Sequence, residues 1–195
     1  MAYTKKTFLG LKQSLSDRHD SGVLPTASAT LSFWGRLLNR GMVYCSDKLR
    51  LAKEATLTTV SGTIALPDDF LVINKVFKGT TPLALISQDD NEFKNGLVYW
   101  ISGNHTDGFY LNTTDDETYT VEYSFRPAEM VADGEVCIIP DPEAVVSYAY
   151  AMLRKSETDP IGDADAALAE CDTRLAEIQD AYSINTGFTG FTTMD

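Results

Sequence analysis

The apolar residues of this chain change their spacing twice, and this change limits the folds that the chain can adopt. From Ser28 to Leu51 they recur three and four residues apart. The members of this series are Leu31, Trp34, Leu38, Met42, Cys45 and Leu49. Such spacing lines one side of a helix. From Ala55 to Pro140 apolar and polar residues alternate instead, as they do in half-buried strands. The sequence therefore predicts helices, then strands, then helices again.

Three further helical patterns support this order. A short helix is predicted before Ser28, with Phe8, Leu11 and Leu15 on one side. Asp141-Pro142-Glu143 begins another helix, because it offers an N-cap acceptor, a proline suited to the first turn and a negative charge at the positive dipole end. A last helix is predicted from Asp163. Its apolar residues are Ala164, Leu168, Cys171, Leu175, Ile178 and Tyr182.

The middle third is predicted to be a small antiparallel sandwich or barrel. Its clearest strand is "TYTVEYSF", and "FLVINKVF" and "LVYWIS" have similar patterns. A hairpin is predicted about Ser61-Gly62. The turns are closely spaced, which favours antiparallel pairing.

The fold class is therefore α+β, with an antiparallel β module inserted into a helical bundle. Residues 1–54 supply the N-terminal helices and 55–140 the β module. Residues 141–183 supply the C-terminal helices, and 184–195 form an extended arm.

The long helix has a second apolar face, formed by Phe33, Leu37 and Tyr44. A helix that is apolar on two faces must be covered on both. These residues, with the neighbouring Arg36 and Arg40, are a candidate subunit interface.

Charge is unevenly distributed. The net charge is -12, yet residues 1–55 hold nine Lys and Arg against four Asp and Glu. The two parts of the chain could attract each other's copies. The acidic bulk argues against gripping a nucleic-acid backbone, which needs Lys and Arg. No stretch is apolar for the ~20 residues of a membrane span, and no signal peptide is recognisable, so synthesis in a cytoplasm is expected.

Catalytic and metal-binding signatures do not occur in the sequence. There is no phosphate loop, dinucleotide fingerprint or nucleophile elbow. Cys45, Cys137 and Cys171 lie far apart among apolar residues, and the two histidines, His19 and His105, have no ligand-like spacing. We therefore expect no enzyme, no metal and no cofactor.

Two less favoured alternatives remain open. Acid clusters at Asp68-Asp69, Asp89-Asp90 and 115–117 could serve a hydrolase if two of them converged in a cleft. They fall in predicted turns, where acids are usually solvated. A ligand- or carbohydrate-binding β module on a helical stalk is the second alternative. Its candidate stacking residues are Tyr99, Trp100, Phe109 and Tyr110, although aromatic residues are also common in strand cores.

The C-terminal sequence "INTGFTGFTTMD" has no helical or strand period but keeps apolar residues. They are Ile184, Phe188, Phe191 and Met194, separated by Gly187 and Gly190. A frayed end is one reading. An arm that docks on another chain is the other, because segments that fold on binding retain apolar anchors. Extended, it could reach about 40 Å.

The order of these parts resembles the head-to-tail adaptor proteins of tailed bacteriophages. The resemblance covers nearly the whole chain, and its most specific pieces are "LPDDF" at 66–70 and the helix from Asp141 to Lys155. It implies a ring of twelve copies beneath the portal protein, at the head–tail junction of the virion. The C-terminal arm would insert against the portal, although its lack of basic residues departs from the family. A tail nozzle or the next tail protein would bind the other side, and double-stranded DNA would pass through without specific binding.

Overall fold

The computed structural model describes residues 4–19, 22–87, 97–104, 106–157, 162–186 and 191–192. The chain has an α+β fold and divides into two compact units. The helical unit comprises Met1–Arg50 and Pro127–Phe191, and the β unit comprises Leu51–Arg126 and Thr192–Asp195.

Four helices are described in the helical unit. They are α1 (Phe8–His19), α2 (Ser28–Leu49), α3 (Pro142–Ser156) and α4 (Asp163–Thr186). α3 is central, because it packs against each of the other three. The predicted inward series of α2 is confirmed, since Trp34, Leu38 and Met42 are almost fully buried.

The start of α3 has a side-chain cap, whereas the start of α2 has none. The predicted start of α3 is confirmed, because the Asp141 carboxylate accepts a hydrogen bond from the Glu143 backbone N–H at 3.0 Å. α2 begins after Ala27 without a side-chain cap, and it ends at Leu49 rather than at the predicted Leu51. It ends because Arg50 adopts the left-handed conformation (φ 52°) and its N–H bonds back to the carbonyls of Asp47 and Ser46.

Residues 127–140 belong to the helical unit rather than to the β unit. The backbone N–H of Cys137 donates to the Lys6 carbonyl at 2.9 Å, and that of Phe8 donates to the Glu135 carbonyl at 2.7 Å. The alternation in "EVCIIP" therefore reflects pairing with the residues before α1. It turns Cys137 and Ile139 inward, while Val136 and Ile138 stay exposed.

The strands form two sheets. In chain order they are β1 (Leu51–Thr58), β2 (Thr63–Ala65), β3 (Phe70–Lys78), β4 (Thr81–Pro82), β5 (Ala84–Leu85), β6 (Val98–Asn104), β7 (Gly108–Thr113), β8 (Thr118–Phe125) and β9 (Phe191–Thr192). One sheet has the order β4-β3-β8-β1-β9 and the other has the order β2-β7-β6-β5. β1 with β8, β2 with β7, β3 with β4 and β8, and β6 with β7 are antiparallel pairs. β5 pairs with β6 in parallel, which departs from the predicted all-antiparallel arrangement.

The turn at Ser61-Gly62 is confirmed, but the hairpin is not. Both residues have positive φ (55° and 70°), as a tight two-residue turn requires. Only one bridge, between Val60 and Thr63, joins the two sides. β1 then pairs with β8 and β2 with β7, so the turn passes the chain from one sheet to the other.

Candidate interaction surface

The second face of α2 is partly used within the helical unit. Leu37 is only 4% exposed. Tyr44 stacks on Tyr148 of α3, with ring centroids 4.6 Å apart, and its hydroxyl donates to Asp172 of α4 at 2.7 Å. Burial, followed by the bond to Asp172, raises the pKa of the Tyr44 hydroxyl. Two of the five candidate interface residues therefore already have partners in their own chain.

The other three candidates remain on the outside of α2. Phe33 is half-buried, and Arg36 and Arg40 are exposed. The Arg36 guanidinium lies 5.8 Å from the centre of the Phe33 ring, within the range of a cation–π contact. A half-exposed aromatic ring beside two exposed arginines has the composition of an interface. We call Phe33, Arg36 and Arg40 the α2 outer face.

A charge network joins α1, α3 and α4. Arg18 of α1 makes two 2.9 Å bonds to the Glu170 carboxylate and a 3.1 Å bond to the Ser147 hydroxyl. Arg174 bonds both to Glu170 and to Asp141, each at 3.0 Å. These bonds lower the pKa of Glu170 to about 2, with Arg18 as the main cause. The network holds helices in register, and its carboxylates already have cationic partners.

The acids in turns also have local partners. Asp69 pairs with Lys53 at 2.8 Å and accepts from the Tyr123 hydroxyl. Asp115 pairs with Lys78 at 2.5 Å and accepts from the Tyr119 hydroxyl, and these bonds lower its pKa. Asp89 and Asp90 lie outside the described residues. The described turn acids therefore serve local structure.

The cysteines Cys45, Cys137 and Cys171 are buried and free. Burial raises the pKa of the Cys137 thiol to about 11, so it is protonated at neutral pH. Across the described ranges, no three His, Cys, Asp or Glu side chains come together as metal ligands. His105 is not among the described residues.

The four candidate stacking residues divide between the two faces of their sheet. Tyr99 is 5% exposed, and Phe109 meets Phe70 of the other sheet edge-on at 5.6 Å. Trp100 is half-buried, and Tyr110 is 36% exposed. Half of the set therefore belongs to the core, as expected for aromatic residues in strands.

The predicted arm begins inside a helix. α4 continues to Thr186, so Ile184 lies in its last turn. Phe191 begins the two-residue strand β9. This strand lies at one edge of the five-stranded sheet, next to β1. Gly187, Phe188, Gly190 and Met194 lie outside the described residues.

Sequence reasoning missed the outward side of α4. Its exposed small residues recur three and four apart, as Ala166, Ala169, Thr173 and Ala176. Exposed acids flank them at Asp165, Asp172, Glu177 and Asp180. We call these eight residues the α4 outer face. The signal was present in the sequence, because Arg174 is the only basic residue of α4.

The family model described as SU10 adaptor protein matches residues 6–189, which include all four described helices and the strands β1 to β8. The chain belongs to the SU10 adaptor protein family. This is a family of phage head–tail adaptors, so the protein is a structural adaptor of a bacteriophage and a virion component. No curated protein matches the sequence.

Membership of the SU10 adaptor protein family indicates a structural role rather than catalysis. It also indicates that this protein contacts other proteins of the phage head or tail. Of the helices in the described ranges, none has both the length and the apolar character needed to cross a bilayer.

Proposed function

We propose that this protein forms an adaptor ring, expected to contain twelve copies, that joins the portal vertex to the tail and continues the DNA channel. The observation that carries the proposal is the family match, which spans residues 6–189. The portal protein is the partner on the head side, and a tail nozzle or the next tail protein is the partner on the other. DNA passes through without specific binding.

The distribution of charge is consistent with a DNA channel that does not retain DNA. The chain has 28 Asp and Glu against 16 Lys and Arg. Most described basic side chains are engaged with carboxylates of the same chain, as Arg18, Lys53 and Arg174 illustrate. Tight binding to a phosphate backbone needs free cations that displace counterions. Few such cations remain, so DNA would slide.

The C-terminal arm is the proposed portal-docking element, with Phe188 and Phe191 as its main anchors. Buried aromatic anchors contribute strongly to interfaces, and losing one often costs about 2 kcal/mol or more. Because α4 extends to Thr186, the functional arm is best tested as residues 187–195. Removing them leaves every described helix of the protein intact.

The test is mass photometry of the full-length protein and a variant ending at Thr186, each mixed with the portal protein of the same phage. We expect a large complex when the portal protein is mixed with the full-length protein, and none when it is mixed with the truncated variant. The double substitution Phe188→Ala with Phe191→Ala should weaken docking without changing thermal melting. A matched control is Thr189→Ala with Thr192→Ala, which removes neighbouring side chains without removing an aromatic ring.

Three results would contradict parts of this proposal. Equal portal binding by the truncated variant would remove the arm from the portal contact. An unaltered affinity of the double phenylalanine variant would remove the anchor role. Failure of the full-length protein to bind the portal at all would overturn the proposed position in the virion.

A further inference from the structure

We propose that the backbone edge of β1 that faces away from β8 binds the C-terminal strand β9 in the free protein and releases it when the arm docks on the portal protein. The inference rests on the proposed function, because it gives the arm a second binding site besides the portal. The β1 edge and the portal then compete for the same segment of the chain.

The hydrogen bonds of β1 show which of its backbone groups face away from β8. The backbone N–H of Thr59 donates to the Glu117 carbonyl at 3.0 Å, and the same register continues without a break through the whole of β1. In an antiparallel pair, residues that bond to the opposite strand alternate with residues that do not. The odd-numbered residues of β1 therefore bond to β8, and the N–H and C=O groups of the even-numbered ones point outward. Three of these outward residues also have exposed side chains, and we call them the β1 outer edge: Glu54, Thr56 and Thr58.

The outward side of β1 is longer than the strand that lies beside it. β1 has eight residues, whereas β9 has two, Phe191 and Thr192. The backbone groups at the edge of a sheet readily pair with another extended segment, which adds as a further strand. The β1 outer edge is therefore suited to binding a strand, and β9 of the same chain is the strand placed next to it.

The position of β9 identifies the occupant as the segment that follows α4. α4 belongs to the helical unit and ends at Thr186, whereas Thr192 groups with the strands of the β unit. The chain therefore leaves the helical unit after its last helix and joins the five-stranded sheet within a few residues. This segment is the one proposed to dock on the portal.

Pairing with β1 restricts where the arm can go. Phe191 is a proposed portal anchor and is also the first residue of β9. While β9 is paired, Phe191 is held on the β unit of its own chain. When β9 is released, the five residues from 187 to Phe191 can carry it up to about 17 Å from the end of α4. Only the released arm can search for a groove on another protein, so the pairing lowers the apparent affinity for the portal.

The pairing is weak enough to be reversed by a partner. Two residues make only a few backbone hydrogen bonds, and each has a modest net effect because water competes for the same groups. Ordering the strand also costs conformational entropy. Pairing of this size would reduce the released fraction about tenfold, which lowers portal affinity by the same factor. The arm is thus held in the free protein without being prevented from docking.

Hydrogen–deuterium exchange at single backbone amides tests both the binding and the release. The three samples are the free full-length protein, the free variant ending at Thr186, and the full-length protein saturated with the portal protein of the same phage. At least one amide of the β1 outer edge should be protected in the first sample and exchange about tenfold faster in the other two. The amides of Lys53, Ala55 and Leu57 bond to β8 and are the internal control, so their exchange should be the same in all three.

Proline substitutions test whether the pairing competes with the portal. Glu54→Pro, Thr56→Pro and Thr58→Pro each remove one outward N–H and no bond to β8, and edge strands accept proline at such positions. The substitution at the protected amide should tighten portal binding by up to about tenfold. The substitutions at the other outward positions are matched controls and should leave the portal affinity unchanged. Binding is measured by biolayer interferometry, and circular dichroism melting shows that each variant keeps its fold.

The results separate this inference from the proposed function. Equal exchange at the β1 outer edge in the free full-length protein and the truncated variant would overturn the binding of β9 to β1. Protection that persists in the portal complex, or no gain in affinity from the proline at the protected amide, would overturn the competition and leave the adaptor role intact. If the full-length protein does not bind the portal, the adaptor position and the competition both fail, and the first two exchange samples still decide whether β9 binds β1.

Discussion

The helical unit and the β unit use charged residues in different ways. In the helical unit, Arg18 reaches Glu170 across 152 positions of sequence and ties α1 to α4. In the β unit, Lys53 pairs with Asp69 and Lys78 with Asp115, at partly exposed sites beside turns. The helical unit is assembled from two separate chain segments and needs long-range polar bonds to fix their register. All but the last few residues of the β unit come from one stretch, Leu51–Arg126, whose hydrogen-bonded ladders already fix the register.

The largest expected effect comes from the apolar core of the helical unit. Leu38→Ala should lower the free energy of unfolding by about 3 kcal/mol, since the side chain is fully buried and its removal leaves a cavity. Urea denaturation followed by the fluorescence of Trp34 measures this, with Trp100→Phe removing the signal of the β unit. Leu85→Ala is the control, because Leu85 is 62% exposed and should cost less than about 0.5 kcal/mol. Equal losses in the two variants would contradict the burial of Leu38.

The next effect tests the turn that passes the chain between the sheets. Gly62→Ala should cost about 2 kcal/mol, because it adds left-handed strain and places Cβ 2.7 Å from the Thr113 carbonyl oxygen. Gly79→Ala has similar strain (φ +60°) but no atom within 4 Å, so about 1 kcal/mol is expected. Chemical denaturation followed by far-ultraviolet circular dichroism compares the two. If Gly79→Ala lowers the free energy of unfolding as much as Gly62→Ala does, the close approach to Thr113 does not contribute to the loss.

The smallest effect concerns the charge network. Glu170→Gln should cost about 1 kcal/mol at neutral pH, a modest figure because Glu170 is partly exposed and solvent screens its pairs. Its pKa is about 2 when folded against an ordinary 4.5. The stabilisation is therefore complete above about pH 4.5 and is lost as the pH falls towards 2.

Stability measured at several pH values checks this. The difference between the unaltered protein and Glu170→Gln should shrink as the pH falls from 4.5 to 2. Glu177→Gln is the matched control, because Glu177 lies on the same helix and no described cation contacts it. A pH-independent difference for Glu170→Gln would show that the loss comes from packing rather than from charge.

The order of helices and strands along the chain could be predicted from periodicity and caps. Asp141, Pro142 and Glu143 act within one turn of helix, so the start of α3 was visible in the sequence. The end of α2 was not, because nothing in the spacing of the apolar residues shows that Arg50 adopts the left-handed conformation. Sheet partners also escaped prediction, since the turn at Gly62 is local but the pairing of β1 with β8 is not.

The candidate interface on α2 stays a prediction, and the sequence alone could not divide its residues into covered and exposed ones. Periodicity shows that Phe33, Leu37 and Tyr44 lie on a second face of α2, but not which of them the chain covers itself. Tyr44 is covered by Tyr148 and Asp172, which are distant in sequence. The α4 outer face was overlooked because small and acidic residues on a helix resemble an ordinary solvated surface.

The separation between Arg18 and Glu170 has a consequence for the order in which the protein folds during synthesis. α1 and α2 leave the ribosome long before α3 and α4 have been translated. α1 and α2 must therefore wait for α3, against which both of them pack. The strands between Leu51 and Arg126 come from one continuous stretch and can pair as soon as they emerge. The apolar faces of α1 and α2 thus stay uncovered during synthesis until residues 142–156 have been made.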